Sequence, residues 1–402
     1  MSMTKSNDYP NFKLRGIYIS KKLLIVFSML VFISVLNNSS IAGLSNLGGI
    51  SIILILIISN ILCIILLFNN FKYIYRIKNI LIGLILLNLI YLFSLLLTDI
   101  NFIGLKVTIQ IYLLSCFFIL MIFVEWNNKC IDIVAFISSI IIILILLINA
   151  FTNSNILVKL FYTYNALGAF IYFISFFNIS ALYETKILSK KILFSISTIC
   201  SIIIIFQCRA RAVWLAIIAM IITLCLWKFI TKNKRKFSIY LFTIFALIFI
   251  GVFIYPSLQT SNYILQIDQI LIGYTGKSIF SGRNKIWSIL LSVINEKIVF
   301  GHGASALPRN FIYTNLSSHN LYLQTILQTG IVGVLALLGI VTFIWKKFWA
   351  KKDIKQVKIS AAFLVSILVY QTFEVSLTQN NLSLGILQWL VLSVGLSKTI
   401  LH

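Results

Sequence analysis

The chain has 402 residues, of which 60% are hydrophobic and only 10% are charged. Soluble domains carry about 25% charged residues, and disordered chains are poor in hydrophobic residues. The composition excludes both classes and predicts an integral membrane protein. Membrane proteins collect Lys and Arg in their cytoplasmic loops, which explains the net charge of +24 without nucleic acid as a partner.

The apolar runs are long enough for spanning helices, which need about 20 residues each. Strands of an outer-membrane barrel alternate in shorter segments, so a barrel is excluded. We predict an all-α protein with twelve spans, at roughly residues 23–36, 48–68, 79–98, 107–124, 131–149, 160–182, 190–207, 212–230, 238–255, 321–345, 359–373 and 384–397. A cleaved signal peptide is the alternative for the first span, because it is short and follows a basic stretch.

The distribution of charge predicts the orientation of these spans. With residues 1–22 in the cytoplasm, the inner segments hold 24 of the 33 Lys and Arg, and the outer segments hold 9. The positive-inside rule therefore places both termini, including a short tail at 398–402, in the cytoplasm. The spans divide into a block of nine at 23–255 and a block of three at 321–397.

Between these blocks lies one long external segment, residues 256–320. Segments of this length are usually functional or disordered, and its apolar content favours an ordered one. Apolar residues recur within it at the spacing of an amphipathic helix, at Ile286, Ile289, Leu290, Val293 and Ile294. Trp287 suits a membrane interface, so we expect this helix on the outer membrane surface. A core helix of a small external domain is the alternative.

Several positive residues lie on the outer side, where the positive-inside rule disfavours them. Arg209 and Arg211 fill a short turn between two spans, and Arg283 opens the amphipathic helix. Guanidinium groups match phosphate oxygens, and N–H groups at a helix start also favour phosphate. The arginines therefore predict an anion site. Snorkelling to lipid head groups, or plain solvation, is the alternative.

Two histidines and a glutamate on the same side are candidates for acid–base chemistry. His319, followed by Asn320, enters the tenth span from outside. A lone histidine is more often structural, yet imidazole is the usual proton acceptor near neutral pH. We rank His302 lower, because a mobile glycine turn is a poor place for precise geometry. Glu374 ends the eleventh span and could pair with an arginine or orient an acceptor sugar.

The sequence carries no CxxC pair and no HExxH motif, so we expect neither a metal site nor a cofactor. A histidine and several arginines suggest a reaction with a diphosphate leaving group, whose charge arginine would neutralise. An enzyme acting outside the cytoplasm has no nucleotide pool. Its donor should therefore arrive already activated on a membrane lipid.

These motifs resemble the bacterial O-antigen ligase and polymerase superfamily over about residues 200–345. The order of motifs is similar: an Arg-Ala turn, a Gly-Arg-x-x-x-Trp stretch, a Gly-x-Gly turn, and Ser-His-Asn-x-Tyr-Leu-Gln followed by Gly330-Ile331-Val332-Gly333. The resemblance implies a C-type glycosyltransferase fold in the bacterial inner membrane, with its active site outside the cytoplasm. Ala212 stands where the family often has a glycine.

The resemblance also implies an activity and roles for particular residues. A metal-independent enzyme would transfer a glycan from a polyprenyl-diphosphate carrier, such as undecaprenyl diphosphate, to an acceptor sugar in surface polysaccharide synthesis (O-antigen, capsule or exopolysaccharide). Arg211 and Arg283 would bind the diphosphate, and His319 would activate the acceptor hydroxyl. Arg209 is an additional arginine, which we group with the diphosphate site. Candidates on the acceptor side are Glu374, Asn320 and His302.

Two other functions stay open at this point. We favour a polymerase, because nothing in the chain is dedicated to a lipid A core, but a ligase acting on the lipid A core of lipopolysaccharide is the alternative. A flippase-type transporter of polysaccharide precursors would also be polytopic and basic. Transporters tend to show repeated halves and binding residues at the midplane, whereas the unusual residues here cluster at one face. The sugar, its linkage and the oligomeric state are not predicted.

Overall fold

The structure is a computed structural model that describes residues 21–69, 74–98, 100–151, 161, 163–258, 261–275, 278, 282–314 and 316–401. The predicted cytoplasmic N-terminus lies outside these ranges, apart from Lys21 and Lys22. Within them the chain forms fourteen α-helices: α1 (Lys21–Ser34), α2 (Ala42–Asn69), α3 (Lys78–Leu96), α4 (Phe102–Phe123), α5 (Asn128–Phe151), α6 (Tyr164–Glu184), α7 (Leu188–Cys208), α8 (Arg211–Ile230), α9 (Lys234–Ser257), α10 (Asn262–Thr275), α11 (Arg283–Glu296), α12 (Leu321–Ala350), α13 (Lys355–Gln371) and α14 (Leu382–Leu401). Short 3-10 turns occupy Val35–Asn38, Tyr75–Ile77 and Pro308–Asn310.

The predicted all-α membrane architecture is confirmed. Each of the twelve predicted spans overlaps one helix, and the two remaining helices, α10 and α11, lie in the segment 256–320 that we predict to be external. Ten of the described helices are long and apolar enough to cross a bilayer. The first apolar helix, Lys22–Asn38, and the 17-residue α13 are shorter.

Three helices form the interior of the bundle. α6 contacts both α13 and α14, which also pack against each other, while α8 covers α13 and α4 covers α14. Aromatic rings fill the contact between α6 and α13, where Tyr172 stacks on Phe363 with ring centroids 5.0 Å apart. The Tyr172 hydroxyl also donates to Ser366 Oγ at 2.7 Å. Close packing and interhelical hydrogen bonds of this kind hold helices together in lipid.

A buried asparagine of α6 ties two further helices, α5 and α7, to it. Asn178 of α6 is fully buried, and its Oδ1 accepts hydrogen bonds from Ser138 and Ser139 of α5. Its Nδ2 donates to Ser197 Oγ of α7 at 2.6 Å. Both ends of the amide are therefore satisfied, which is the condition under which a polar group is tolerated in an apolar interior.

A glycine of the motif, Gly330, allows the external segment to pack closely against α12. The helix is kinked at Gly330, where φ is 67° and ψ is −167°. The freed backbone groups pair with the preceding turn: Ile331 N–H donates to Ile298 O, and Leu327 O accepts from His302 N–H, both at 2.8 Å. A Cβ at Gly330 would lie 2.0 Å from Val299 O. Only glycine fits this position, because both the positive φ and the contact exclude a side chain.

The connection between α13 and α14, residues 372–381, is irregular and mostly buried. We call it the 372–381 loop. Gln371 Oε1 accepts hydrogen bonds from the backbone N–H groups of Ser376 and Leu377, and Trp389 Nε1 donates to Leu377 O. Gln388 Nε2 donates to Ser376 Oγ at 2.9 Å. Irregular backbone at this depth needs such partners, because an unsatisfied group in an apolar region costs several kcal/mol.

The amphipathic helix of the external segment forms as α11, and it packs against α9 and α12. Ile286, Leu290 and Ile294 are buried against the protein. The expectation that Trp287 lies at a membrane interface is wrong, because this side chain is only 1% exposed. Its indole N–H donates to Ser318 O at 2.8 Å. A buried indole needs such a partner, and here the partner belongs to the loop that carries His319.

Candidate active site

Asn320 fixes the start of α12 beside the candidate base. Its side chain is fully buried, and its Oδ1 accepts a hydrogen bond from Leu323 N–H at 2.9 Å, as an N-cap residue does. Its Nδ2 donates to Thr372 O at 3.0 Å. Both ends of the amide are used within the protein. Asn320 therefore joins α12 to the 372–381 loop, which gives it a structural role next to His319.

The backbone of His319 has a φ of 45°, in the left-handed region that non-glycine residues rarely occupy. Neighbouring contacts hold this conformation: Trp287 binds Ser318 O, and Ser317 Oγ accepts a hydrogen bond from His319 N–H at 3.2 Å. Strained residues of this kind cluster at functional sites, because the surrounding structure must stabilise them. The conformation therefore supports a functional role for His319.

Glu374 lies between His319 and Arg283. Its Oε2 is 3.3 Å from His319 Nδ1, and its Oε1 is 3.4 Å from Arg283 Nη2. Of the two roles expected for Glu374, pairing with an arginine is the one that the geometry displays. A carboxylate at Nδ1 favours the tautomer with the proton on that nitrogen, which leaves Nε2 as the proton acceptor.

Arg211 and Arg283 begin two different helices, and both lie within electrostatic reach of the end of α9. Arg211 is the first residue of α8, and its Nη1 donates to Ser278 O at 2.6 Å. Arg283 is the first residue of α11, as predicted. Tyr255 near the end of α9 lies within electrostatic reach of both guanidinium groups. Two positive residues that are far apart in sequence thus lie within reach of the same tyrosine.

Arg209 lies apart from this pair, although only one residue separates it from Arg211. It caps the end of α7 with a φ of 47°, and its side chain is exposed. It lines a separate cavity of about 360 Å³ together with Asn149, Tyr164 and Gln207. The structure therefore does not bring Arg209 to the cavity that contains His319.

His302 is held in place by its surroundings. Its Nε2 is 2.8 Å from Val293 O, and its ring meets Phe311 edge to face with centroids 5.0 Å apart. Because a carbonyl oxygen only accepts, Nε2 must carry the proton. Hydrogen bonds from His302 N–H and Gly303 N–H to carbonyls of α12 fix the turn. The turn is thus tied to α12 on both sides of His302, and the side chain is directed into a protein contact.

A cavity of about 500 Å³ opens beside His319 and Glu374, and we call it the His319 cavity. Its volume is typical of small-molecule sites. Arg309 and the aromatic rings of Phe161 and Tyr370 also line it. Most of the other polar groups in its wall are uncharged, at Asn38, Thr163, Asn165, Ser317, Ser376, Asn380 and Asn381. Amides and hydroxyls beside aromatic rings can bind the hydroxyls and apolar faces of a sugar.

Several residues of this cavity were not singled out from the sequence. Arg309 is a positive residue in the external segment, so the rule that drew attention to Arg283 would also have found it. Asn38 follows α1, and Asn380 follows α13 with a φ of 62°. These asparagines carry no local sequence motif, and only the fold brings them together.

Potential metal ligands are sparse around the site. Within the described ranges, His, Cys, Asp and Glu side chains do not gather in groups of three or more. His319 and Glu374 form a pair, in which the ring nitrogen faces the carboxylate. Metal independence stays a prediction for experiment.

Comparison with known proteins supports the resemblance drawn from the motifs. Residues 196–338 match the family model described as O-Antigen ligase. The match includes the arginine turn, α11, the His302 turn and His319, whereas Glu374 lies beyond it. No curated protein matches the chain. The matched domain and the many apolar helices confirm the predicted resemblance to the O-antigen ligase and polymerase superfamily.

Proposed function

We propose that the chain transfers a glycan from a polyprenyl-diphosphate carrier to an acceptor sugar on the outer side of the bacterial cytoplasmic membrane. The contact of His319 with Glu374 at the wall of a polar cavity carries the proposal. The O-antigen ligase match over residues 196–338 supports the same class of reaction.

His319 is the general base in this proposal. An acceptor hydroxyl in the His319 cavity gives its proton to Nε2, while Glu374 keeps the ring oriented through Nδ1. The carboxylate also stabilises the imidazolium that forms, as in other histidine–carboxylate pairs. General base assistance of this kind contributes about 10²–10⁴-fold to the rate.

Arg211 and Arg283 hold the leaving group. The acceptor oxygen forms its bond to the anomeric carbon while the bond from that carbon to the diphosphate oxygen breaks. The electron pair leaves with polyprenyl diphosphate, whose charge the two guanidinium groups neutralise. A single displacement inverts the anomeric centre. Glu374 contacts Arg283 as well as His319, so one carboxylate positions both the base and a donor-binding group.

The acceptor we favour is a second lipid-linked repeat unit, which makes the chain a polymerase. Nothing in the sequence is dedicated to a lipid A core. The same donor chemistry also fits a ligase, so the acceptor must be found by experiment.

Transfer by purified protein in liposomes tests this mechanism. With a fluorescent lipid-linked repeat unit as substrate, the wild type should form longer glycans, and His319→Gln should lose most turnover while still binding the donor. Lys297→Gln is the matched control, because Lys297 is exposed at the end of α11. Near-normal turnover in His319→Gln would contradict the role of His319 as base.

Two additions to the same assay separate the finer claims. A chelator should leave the rate unchanged, and a rate that collapses with chelator contradicts metal independence. Lipid A core offered as a competing acceptor distinguishes the ligase, which would label it, from the polymerase, which would not.

The proposed orientation has its own test in whole cells. After removal of the native cysteines, Tyr313→Cys in the external segment should react with an impermeant thiol reagent, because Tyr313 is fully exposed. Lys234→Cys, at the start of α9, should react only after the membrane is opened. The reverse pattern would place the His319 cavity on the cytoplasmic side.

A further inference from the structure

The His319 cavity contains a positive charge for which the described protein offers no counter-ion. Arg309, in the turn Pro308–Asn310, lines the cavity with an exposed side chain. Within the described ranges this side chain makes no ion pair. The carboxylate in the cavity wall, Glu374, is contacted by Arg283 and His319 instead. A ligand in this cavity therefore meets a guanidinium group available for an anion.

Arg309 and the proposed diphosphate arginines differ in their relation to the His319 cavity. His319, Glu374 and Arg309 all line the cavity, whereas Arg211 and Arg283 do not. Those two arginines approach Tyr255, which is also absent from the cavity wall. With the donor diphosphate at Arg211 and Arg283, the anion that Arg309 meets belongs to the molecule in the cavity.

We propose that Arg309 binds a carboxylate or phosphate group on the acceptor glycan, so that the cavity selects an acidic acceptor. This inference rests on the proposed function and adds the substrate class to it. The forked donors of guanidinium match the oxygens of either group. The uncharged amides and hydroxyls of the wall remain for the sugar hydroxyls. A neutral acceptor would lose the charge-assisted hydrogen bonds to Arg309, and selection arises from that difference.

The probes are oligosaccharide fragments of the surface polysaccharide made by cells that use this chain. One portion stays native, and in a second portion the carboxylates are reduced to alcohols and the phosphates are removed. Wild-type protein should use the native fragment with a kcat/KM at least about tenfold higher, the size expected for losing a charge-assisted hydrogen bond. In Arg309→Gln the two fragments should become equivalent.

Lys297→Gln is the matched control, since it removes one positive charge from the same external segment outside the cavity. It should keep the preference for the native fragment. Arg309→Lys should keep part of it, because the charge remains without the forked geometry. If Arg309→Gln instead raised the KM for the lipid-linked donor and left the preference intact, Arg309 would belong to the diphosphate site and the proposal would be overturned.

Binding without turnover separates this inference from the proposed function. Fragment binding is measured on His319→Gln and on the double variant His319→Gln/Arg309→Gln. About tenfold tighter binding of the native fragment, lost in the double variant, supports the acidic acceptor even if transfer is absent. Equal binding of both fragments to His319→Gln overturns it, as does a polysaccharide that contains neither carboxylate nor phosphate. If the proposed function itself were wrong, the wild-type protein would transfer no glycan at all, which is a different result.

Discussion

The spans Ala42–Phe68 and Leu382–Leu401 represent two regions of the bundle. In the first, only 39% of the apolar stretch is buried in the protein, and the remainder faces outward with exposed Ile and Leu side chains. In the second, 89% is buried, although this span is among the less apolar ones. It carries Gln388 and several serines in its fully buried surface.

The difference reflects two kinds of neighbour. A helix that faces lipid must be apolar over most of its surface, because lipid offers no hydrogen-bond partners. An interior helix can carry polar side chains, because neighbouring helices satisfy them. Hydropathy therefore identifies the peripheral helices most clearly. The interior helices hold the 372–381 loop that carries Glu374. Four predictions test whether this division into a tolerant periphery and a demanding interior holds.

The largest effect should come from alanine at Gly330. A Cβ there would meet Val299 O at 2.0 Å, and alanine would have to adopt the positive φ of Gly330; together these cost about 3 kcal/mol or more. Gly339 in the same helix has no atom within 4 Å of an added Cβ, so Gly339→Ala should be neutral or slightly stabilising. Thermal unfolding in detergent measures both. Equal unfolding temperatures would show that the docking at the kink contributes little.

Glu374→Gln should lower kcat about 100-fold, because a neutral amide neither stabilises the imidazolium nor balances Arg283. Donor binding should change much less. Glu296→Gln, at an exposed position that ends α11, makes the same substitution outside the site and serves as the control. A Glu374→Gln variant with normal kcat would remove Glu374 from the mechanism.

Gln371→Leu should destabilise the protein by about 2 kcal/mol, because the N–H groups of Ser376 and Leu377 lose their acceptor in the interior. Gln207→Leu at the periphery also removes an amide, one that accepts a hydrogen bond from Asn149 at an exposed site. This substitution should lower the free energy of unfolding by less than about 0.5 kcal/mol. Comparable losses of stability in the two variants would contradict the division between interior and periphery.

The smallest of the four effects concerns the arginine turn. Arg211→Lys should reduce kcat/KM about tenfold, since lysine lacks the forked donors that match a diphosphate. Arg209→Lys should cause a smaller loss, because Arg209 faces the separate cavity beside Gln207. Kinetics with the lipid-linked donor check both, and a larger loss in Arg209→Lys would move the diphosphate site to that cavity.

The sequence predicted the helices well because the physical cause is local. Apolar runs must span the bilayer, and basic turns separate them near Lys232 and Lys351. The positive-inside rule drew attention to Arg283, and acid–base chemistry drew attention to His319 and Glu374. The structure brings these three side chains together.

Other features depend on contacts that are not local. An apolar stripe does not reveal whether protein or lipid covers it. For this reason the prediction of Trp287 at a membrane interface was wrong. Gly330 was recognised as part of a motif, yet its docking partner, Val299, could be seen only in the fold. The cavity wall could not be predicted either, because Asn38 and Asn380 are distant in sequence.

The assembly of that wall has an evolutionary consequence. Asn38, Asn165, Arg309 and Asn380 come from four separate stretches of the chain, whereas the strained backbone at His319 is fixed by its immediate neighbours. Under the proposed function, single substitutions in these stretches would let a descendant of this chain change the glycan it accepts, and an engineer could follow the same route to polysaccharides with altered repeat units.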